Sequence, residues 1–418
     1  MRLLLSLAVF SVMLMVLLAF STPVSAQDAV APTAAALEQV HPLQVIMRYD
    51  AVAPTANALE QVQRYERAIH VMAMLLVGFG FLMVFVKRYG RSALTATYLL
   101  TAAGLPLYFL FDSVGLFGQP PRPITDRLLC AEFAAASLLI CAGAVLGRLK
   151  MGQYLILTVL FIPCYMANEW IVTQGGCGIL PRDTFLDTGG SIIIHAFGAF
   201  FGLGAILTMT TRTEFDAPIE SDAVSDRFSL LGSMVLWVFW PSFCSALVPA
   251  QDVPHTAINV ILALCGATLA TYFACMALRR KISPADIANA TLAGGVAIGA
   301  LCARPDFFAG SFVIGLAAGA LSALGFAVLQ SRLQAVLRKT DTCGVLYLHG
   351  LPGLLGGLAA LLFIATPGAQ AAGIVVTVAI AVVTGFIAGK VLAVFGRRGV
   401  PYVDHEELIV ETEAEPAE

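Results

Sequence analysis

The sequence DTGGSIIIHAFGAFFGL, residues 187–203, is a long apolar segment that holds two ionisable side chains, Asp187 and His195. A bilayer interior penalises such side chains, so their presence in a segment of this length indicates function. The same arrangement returns in DTCGVLYLHGLPGLLGG, residues 341–357, where His349 follows Asp341 by the same eight positions. Two matched copies of one motif therefore organise the chain.

The composition is that of a membrane protein. Of the 418 residues, 59% are hydrophobic and 12% are charged, with a mean hydropathy of +0.85, whereas soluble domains carry about 25% charged residues. Apolar runs long enough to cross about 30 Å of hydrocarbon recur from residue 69 to residue 396. We therefore predict an all-α polytopic membrane protein with eleven transmembrane helices, near residues 69–86, 93–112, 128–147, 152–173, 188–210, 228–249, 256–278, 285–303, 307–330, 343–366 and 371–395.

Lys and Arg are distributed unevenly between alternate loops, and this predicts the orientation. Cytoplasmic loops of membrane proteins are the ones enriched in these residues. Eleven crossings with the enriched loops inside place the N-terminus outside and the C-terminus in the cytoplasm, and we expect the plasma (inner) membrane. The enriched loops carry Lys87, Arg88, Arg91, Arg148, Lys150, Arg212, Arg279, Arg280, Lys281, Arg332, Arg338 and Lys339; the others carry Arg122, Arg127, Arg182 and Arg304.

The two ends of the chain are expected to lie outside the channel domain, which covers residues 69–396. Residues 1–26 have the pattern of a signal peptide, with a retained helix as the alternative. Residues 27–68 form an extracytoplasmic leader in which DAVAPTAAALEQV (28–40) returns as DAVAPTANALEQV (50–62). Residues 397–418 form an acidic cytoplasmic tail that we expect to be mobile. A net charge of -3 without a basic block excludes nucleic acid as a partner.

The two motifs enter the membrane from opposite sides. Asp187 begins the fifth helix outside and Asp341 begins the tenth inside, each at an N-cap position where a carboxylate accepts backbone N–H groups. Eight residues at about 1.5 Å each span about 12 Å, so His195 and His349 both reach the bilayer midplane. This predicts an inverted 5+5 repeat with one extra C-terminal helix and a shared site at the repeat interface. Two neutral imidazoles there suit a small polar solute.

Other uses of paired histidines were weighed. One histidine in an apolar span is usually a packing residue, but two in matched contexts favour a shared site. Haem ligation needs a cavity that the glycine-rich surroundings do not suggest, and a metal site needs a third ligand, which neither His195 nor His349 has within a helical turn. The nine cysteines form no CxxC pair. We therefore predict no cofactor, no metal ion and no enzymatic activity.

Seven strings, spread from residue 70 to residue 357, occur in an order typical of one family. The chain resembles the ammonium transporter/Rhesus (Amt/Rh) superfamily, and most closely its Rh branch. The strings are HVMAMLLVGFGFLMVFVKRYG (70–90), AEFAAASLLICAGAVLG (131–147), MANEWI (166–171), DTGGSIIIHAFGAFFGL (187–203), DRFSLLGSMVLWVFWPSF (226–243), NATLAGGVAIG (289–299) and DTCGVLYLHGLPGLLGG (341–357).

The resemblance implies a homotrimer in which each subunit has its own pore for ammonia or ammonium. His195 and His349 match the twin-histidine pair of the family, which shares a hydrogen bond along the pore. Phe133 and Phe243 match the stacked phenylalanines that close the outer vestibule. Without the resemblance, phenylalanines at helical spacing would be read as core residues.

Two acids, Asp187 and Asp341, match the family, whereas a tryptophan of the Amt branch is missing, and both points bear on the expected function. Asp187 matches the acid below the vestibule, and Asp341 is its counterpart in the second half. No tryptophan occupies the position of the Amt cation cage before Asp187, and Trp170 belongs to the MANEWI string. Without a cation–π cage, we expect conduction of neutral NH3, with CO2 as a further candidate. The alternatives are electrogenic transport of NH4+, or of NH3 plus H+, and an ammonium sensor, for which no signalling domain follows residue 395.

Overall fold

Helices make up the regular structure of the part of the chain that the computed structural model describes, residues 56–118, 122–217 and 219–409. The predicted signal peptide, the first copy of the leader repeat and residues 410–418 of the tail lie outside the described residues. An all-helical architecture fits the apolar composition, because a helix satisfies its own backbone hydrogen bonds where no water is available.

Nine of the described helices are long and apolar enough to cross a membrane. Two further elements, α8 and α10, are shorter. In chain order the elements are α1 (Ala58–Phe85), α2 (Lys87–Ser113), α3 (Ile124–Ala144), α4 (Met151–Gln174), α5 (Ser191–Met209), α6 (Ala223–Cys244), α7 (Ala250–Arg279), α8 (Pro284–Ala290 and Ala293–Ile298), α9 (Phe308–Leu337), α10 (Leu346–Ala360) and α11 (Pro367–Val394).

Element α8 is broken where the sequence predicts a continuous span near 285–303. The hydroxyl of Thr291 lies at the break and donates a hydrogen bond to the Ile287 carbonyl at 2.9 Å. Element α10 is likewise shorter than the predicted 343–366, because turns occupy residues 341–344 and 361–363.

Glycines allow several helices to touch through their backbones. A Cβ atom at Gly315 of α9 would lie 2.0 Å from the Ala263 carbonyl oxygen of α7, and one at Gly385 of α11 would lie 2.1 Å from the Phe201 oxygen of α5. Small residues at helix interfaces are the usual means of close packing where lipid provides no hydrophobic driving force between helices. The glycine-rich strings of the sequence therefore mark helix contacts.

Helix α3 is the most deeply buried of the long helices. Every residue from 129 to 149 is buried, and the Ser137 hydroxyl donates to the Ile194 carbonyl of α5 at 2.7 Å. Since Ile194 precedes His195, this bond ties the first half-motif to the centre of the helical bundle.

The segment that follows α11 is fixed to the starts of two helices, whereas the sequence predicts a mobile end. The Asp404 carboxylate accepts hydrogen bonds from the backbone N–H groups of Arg91 (3.1 Å) and Ser92 (2.9 Å) in α2. Glu407 accepts one from the N–H of Met151, which begins α4, at 2.9 Å. Two residues before Asp404, the N–H of Tyr402 donates to the Gly147 carbonyl at 2.8 Å. Acids at helix starts satisfy N–H groups that have no partner within the helix.

Candidate functional site

The structure brings the two predicted histidines together. The Nδ1 atoms of His195 and His349 lie 3.2 Å apart, and the ring planes differ by 6°. Both side chains are buried, with 2% and 3% of their surface exposed. A neutral imidazole carries one N–H and one acceptor nitrogen, so one ring donates and the other accepts at this contact. The outward nitrogen of His195, Nε2, has no hydrogen-bond partner among the described residues.

Two aromatic side chains that were not predicted flank the histidines. Trp240 stacks on His195 with ring centroids 5.5 Å apart and planes 18° apart. Phe79 lies beside His349 at 6.1 Å and 27°. Both residues belong to strings that resemble the family, WPSF and GFGF, but their spacing within a helix is equally typical of a core position. Only the approach of α6 and α1 to the histidines distinguishes them.

The two predicted phenylalanines are also adjacent. The rings of Phe133 from α3 and Phe243 from α6 have centroids 4.9 Å apart and planes inclined at 60°. The two rings are therefore in contact in a tilted arrangement, which is a favourable geometry for aromatic pairs. The ring of Phe243 also lies 5.9 Å from that of His195, so the phenylalanine pair adjoins the histidine pair.

The carboxylate of Asp187 binds the start of the helical segment that carries His195. Its Oδ2 accepts hydrogen bonds from the N–H groups of Ile192 (2.9 Å) and Ile193 (2.8 Å). The N-cap residue is Gly190, with φ of 74°, and not Asp187 as the sequence predicts. Glycine fits this place because a left-handed conformation costs it little. The other oxygen of Asp187, Oδ1, is buried without a hydrogen-bond partner among the described residues.

Asp341 performs the same task with both oxygens. Oδ1 accepts from the Val345 N–H and Oδ2 from the Leu346 N–H, each at 3.0 Å. Each acid precedes one π-helical turn, Ser191–Ala196 or Leu346–Gly350, and each turn contains its histidine. Single π-helical turns are rare and often occur at functional sites. The likeness of the two motifs thus extends from sequence to backbone conformation.

A narrow cavity lies beside His349. Apolar side chains of α1, α3 and the segment around α10 form most of its wall, so a solute there exchanges water for an apolar surface. The lining residues are Phe79, Leu82, Met83, Phe85, Leu139, Ile140, Gly143, Asn289, Cys343, Val345, Leu348 and His349. Within the described part of the chain, no three His, Cys, Asp or Glu side chains are grouped so that they could hold a metal ion.

Comparison with known proteins gives the family. The model of the Ammonium Transporter Family matches residues 43–407. Ammonium transporter Rh type A of Canis lupus familiaris is 40% identical over 302 residues, which are 71% of this chain and 71% of that protein. This chain belongs to the ammonium transporter family, in its Rh branch. The family consists of transporters and channels and not of enzymes.

Relatives and solved structures extend the likeness. Human ammonium transporter Rh type C is 37% identical over 302 residues, which cover 71% of this chain and 62% of that one. The structure of Nitrosomonas europaea Rh50, of the Rhesus protein family of channels, superposes with a TM-score of 0.82 at 51% identity, covering 86% of this chain and 94% of that one. A sensor Amt protein shares the fold, with a TM-score of 0.70 at 19% identity over 83% and 96% of the two chains.

Proposed function

We propose that this protein is an Rh-type channel that conducts ammonia across the membrane, through a pore in each subunit with His195 and His349 at its centre. The observation that carries the proposal is the buried Nδ1–Nδ1 contact of 3.2 Å in a member of the Rh branch. Phe133 and Phe243 close the outer side of this path, and Asp187 and Asp341 support its two halves as helix caps.

The polarity of the path favours the neutral solute. An ion loses its hydration in an apolar passage, and the cost is large unless a charged partner is present. The cavity beside His349 is lined by no carboxylate. Neutral NH3, by contrast, has N–H donors and one lone pair. The imidazole pair offers an acceptor nitrogen to an N–H group of NH3 and an N–H donor to its lone pair. The histidines therefore replace part of the hydration of NH3 without needing a charge on the solute.

An electrogenic mechanism is the second candidate, and one atom favours it. Oδ1 of Asp187 is a buried carboxylate oxygen without a partner among the described residues. Such an oxygen can take a proton or a cation that arrives from the outer side. NH4+, or NH3 accompanied by a proton, would then be the transported species. CO2 is a further solute that the apolar path admits.

The proposed assembly and topology complete the account of the channel. We infer a homotrimer in the plasma (inner) membrane, with a cleaved signal peptide, an extracytoplasmic N-terminus and a cytoplasmic C-terminal segment. Elements α8 and α10 cross the membrane together with the nine long helices, which gives the eleven crossings of an inverted 5+5 repeat plus α11. The support for this is the uneven distribution of Lys and Arg between loops and the two matched half-motifs.

Reconstituted vesicles test the function. An inward ammonium gradient applied to vesicles that hold a pH-sensitive dye should raise the internal pH faster than in protein-free vesicles, because entering NH3 takes up protons. The same vesicles on a solid-supported membrane should give no ammonium-dependent current. Alkalinisation no faster than in protein-free vesicles contradicts the channel, and a current that scales with ammonium favours the electrogenic alternative.

A further inference from the structure

The two phenylalanines of the outer pair, Phe133 and Phe243, lie in helical segments that differ in their backbone hydrogen bonding. Phe133 lies in the middle of α3, within a stretch that is buried without interruption. Phe243 lies in the last turn of α6, which ends at Cys244 and contains Pro241. Proline has no N–H, so the carbonyl of the preceding helical turn loses its hydrogen bond at this point. The side chain of Phe243 is as buried as that of Phe133, with 3% against 9% exposed, but the helix that carries Phe243 lacks one backbone hydrogen bond.

A contact from α1 restrains this last turn. Nδ1 of His70 lies 2.9 Å from the hydroxyl oxygen of Ser242, the residue before Phe243. The His70 ring also stacks on Phe239, with centroids 4.9 Å and planes 22° apart. Phe239 precedes Pro241 and Ser242 follows it. The His70 side chain of α1 therefore contacts α6 on both sides of the proline, where one helical hydrogen bond is missing.

On the other face of the same turn, Trp240 is fixed. A Cβ atom at Gly295 of α8 would lie 2.6 Å from the Trp240 ring, which shows how closely the indole fits against α8. Trp240 is thus packed tightly against α8, whereas Ser242, two residues further on, is contacted by His70 of α1.

We propose that His70 is a positioning residue for the outer phenylalanine pair. Through Ser242 it sets the angle of Phe243 against Phe133, and with it the largest neutral amine that the pair admits. The inference rests on the proposed ammonia pathway. It adds a residue outside the pathway that controls size selection.

The test compares ammonia with methylamine in reconstituted vesicles of the full-length protein. The variants are His70→Ala, Ser242→Ala, the double variant, and His70→Asn, whose amide nitrogen replaces Nδ1. His255→Ala is the matched control, because His255 is also half-buried and bonds to a carbonyl, that of Ala303, at 3.0 Å. The measured quantity is the ratio of the alkalinisation rates produced by methylammonium and by ammonium.

Each single alanine variant should raise this ratio by about two- to tenfold, the change in an equilibrium that the loss of one net hydrogen bond produces. The double variant should match His70→Ala, because Ser242→Ala removes only the hydrogen bond that His70→Ala also removes. His70→Asn, which keeps that bond but not the ring stack on Phe239, should stay closer to the wild-type ratio than His70→Ala, and His255→Ala should keep the wild-type ratio. A ratio that stays at the wild-type value in His70→Ala and Ser242→Ala overturns the inference, as do additive effects in the double variant. A wild-type protein no more permeable to ammonia than protein-free vesicles overturns the channel itself.

Discussion

At the scale of single residues, Asp187 and Asp341 occupy equivalent places in the two half-motifs but use their oxygens differently. Asp187 binds two N–H groups through Oδ2 alone, whereas Asp341 binds one through each oxygen. Asparagine has a single acceptor oxygen, and its amide group can only donate. The same substitution should therefore have unequal effects at the two positions.

We expect Asp187→Asn to keep both hydrogen bonds and to lower stability by less than about 1 kcal/mol, and Asp341→Asn to lower it by about 1–3 kcal/mol because one buried N–H then faces a donor. The thermal unfolding midpoints of the two purified variants in detergent measure this. Asp187→Ala and Asp341→Ala, which remove every acceptor, are the controls and should be similar to each other. Equal shifts for the two asparagine variants would contradict the assigned hydrogen bonds.

Because of Glu214, in the short helical turn Arg212–Phe215, we expect the stability of the folded protein to depend on pH. Its Oε2 accepts from the Thr211 N–H at 2.8 Å, and burial raises the pKa of the carboxyl group above its usual value. An acid with a raised folded-state pKa stabilises the fold below the unfolded pKa of about 4.3, and this contribution is lost as the pH rises through the folded pKa.

Glutamine resembles the protonated acid, so Glu214→Gln should be more stable than the wild type at pH 8 and equal to it near pH 4. Unfolding midpoints of both proteins across this pH range provide the comparison. A difference that does not change with pH would show that burial of the charge at Glu214 is not the cause.

Sequence reasoning found some site residues and missed others for a physical reason. His195 and His349 stand out because an ionisable group is costly in an apolar segment. Trp240 and Phe79 touch the same rings, yet an aromatic residue in an apolar helix carries no such cost. Their roles depend on how α6 and α1 pack against α5 and α10, which periodicity within one helix does not encode.

At the scale of elements, the length of the apolar runs predicts the long helices. It does not predict the break in α8 or the contacts of the segment after α11. The break in α8 falls at residues 291–292, within an apolar span whose composition does not mark it. The segment after α11 is acidic, which predicted a solvated end, but Asp404 and Glu407 have found the N–H groups of two helix starts. Charge alone does not distinguish a solvated acid from a helix cap.

The capping role of Asp404 makes a prediction for this segment. Asp404→Ala removes the acceptor for two N–H groups of α2 and should cost about 1–2 kcal/mol of stability, the usual effect of losing a cap. It should also make residues 397–409 easier to cleave with protease in intact protein. Asp216→Ala, at an exposed acid with an ordinary backbone conformation (φ −74°) in the segment before α6, is the control. Equal cleavage of the two variants and the wild type would contradict the docking of the segment.

At the scale of the whole molecule, the fold class and the family were accessible from sequence because they rest on the bulk composition and on long matching strings. The sequence predicts eleven crossings; nine described helices are long enough to span a membrane, and the crossings by the shorter α8 and α10 stay a prediction. The motif spacing predicts that the two histidines share a depth, and only the resemblance implies a hydrogen bond between them. The contact of 3.2 Å between the Nδ1 atoms joins two π-helical turns that no periodicity in the sequence predicts.

His195 and His349 act together in the proposed ammonia conduction. Internal alkalinisation after an ammonium gradient, measured in vesicles with His195→Ala, His349→Ala, the double variant and the control His255→Ala, tests it most directly. We expect each single variant to lower the rate by about tenfold, equivalent to ~1.4 kcal/mol in the barrier. The double variant should be no slower than the slower single variant, and the control should match the wild type. A double variant that conducts ammonia at the wild-type rate would contradict the claim.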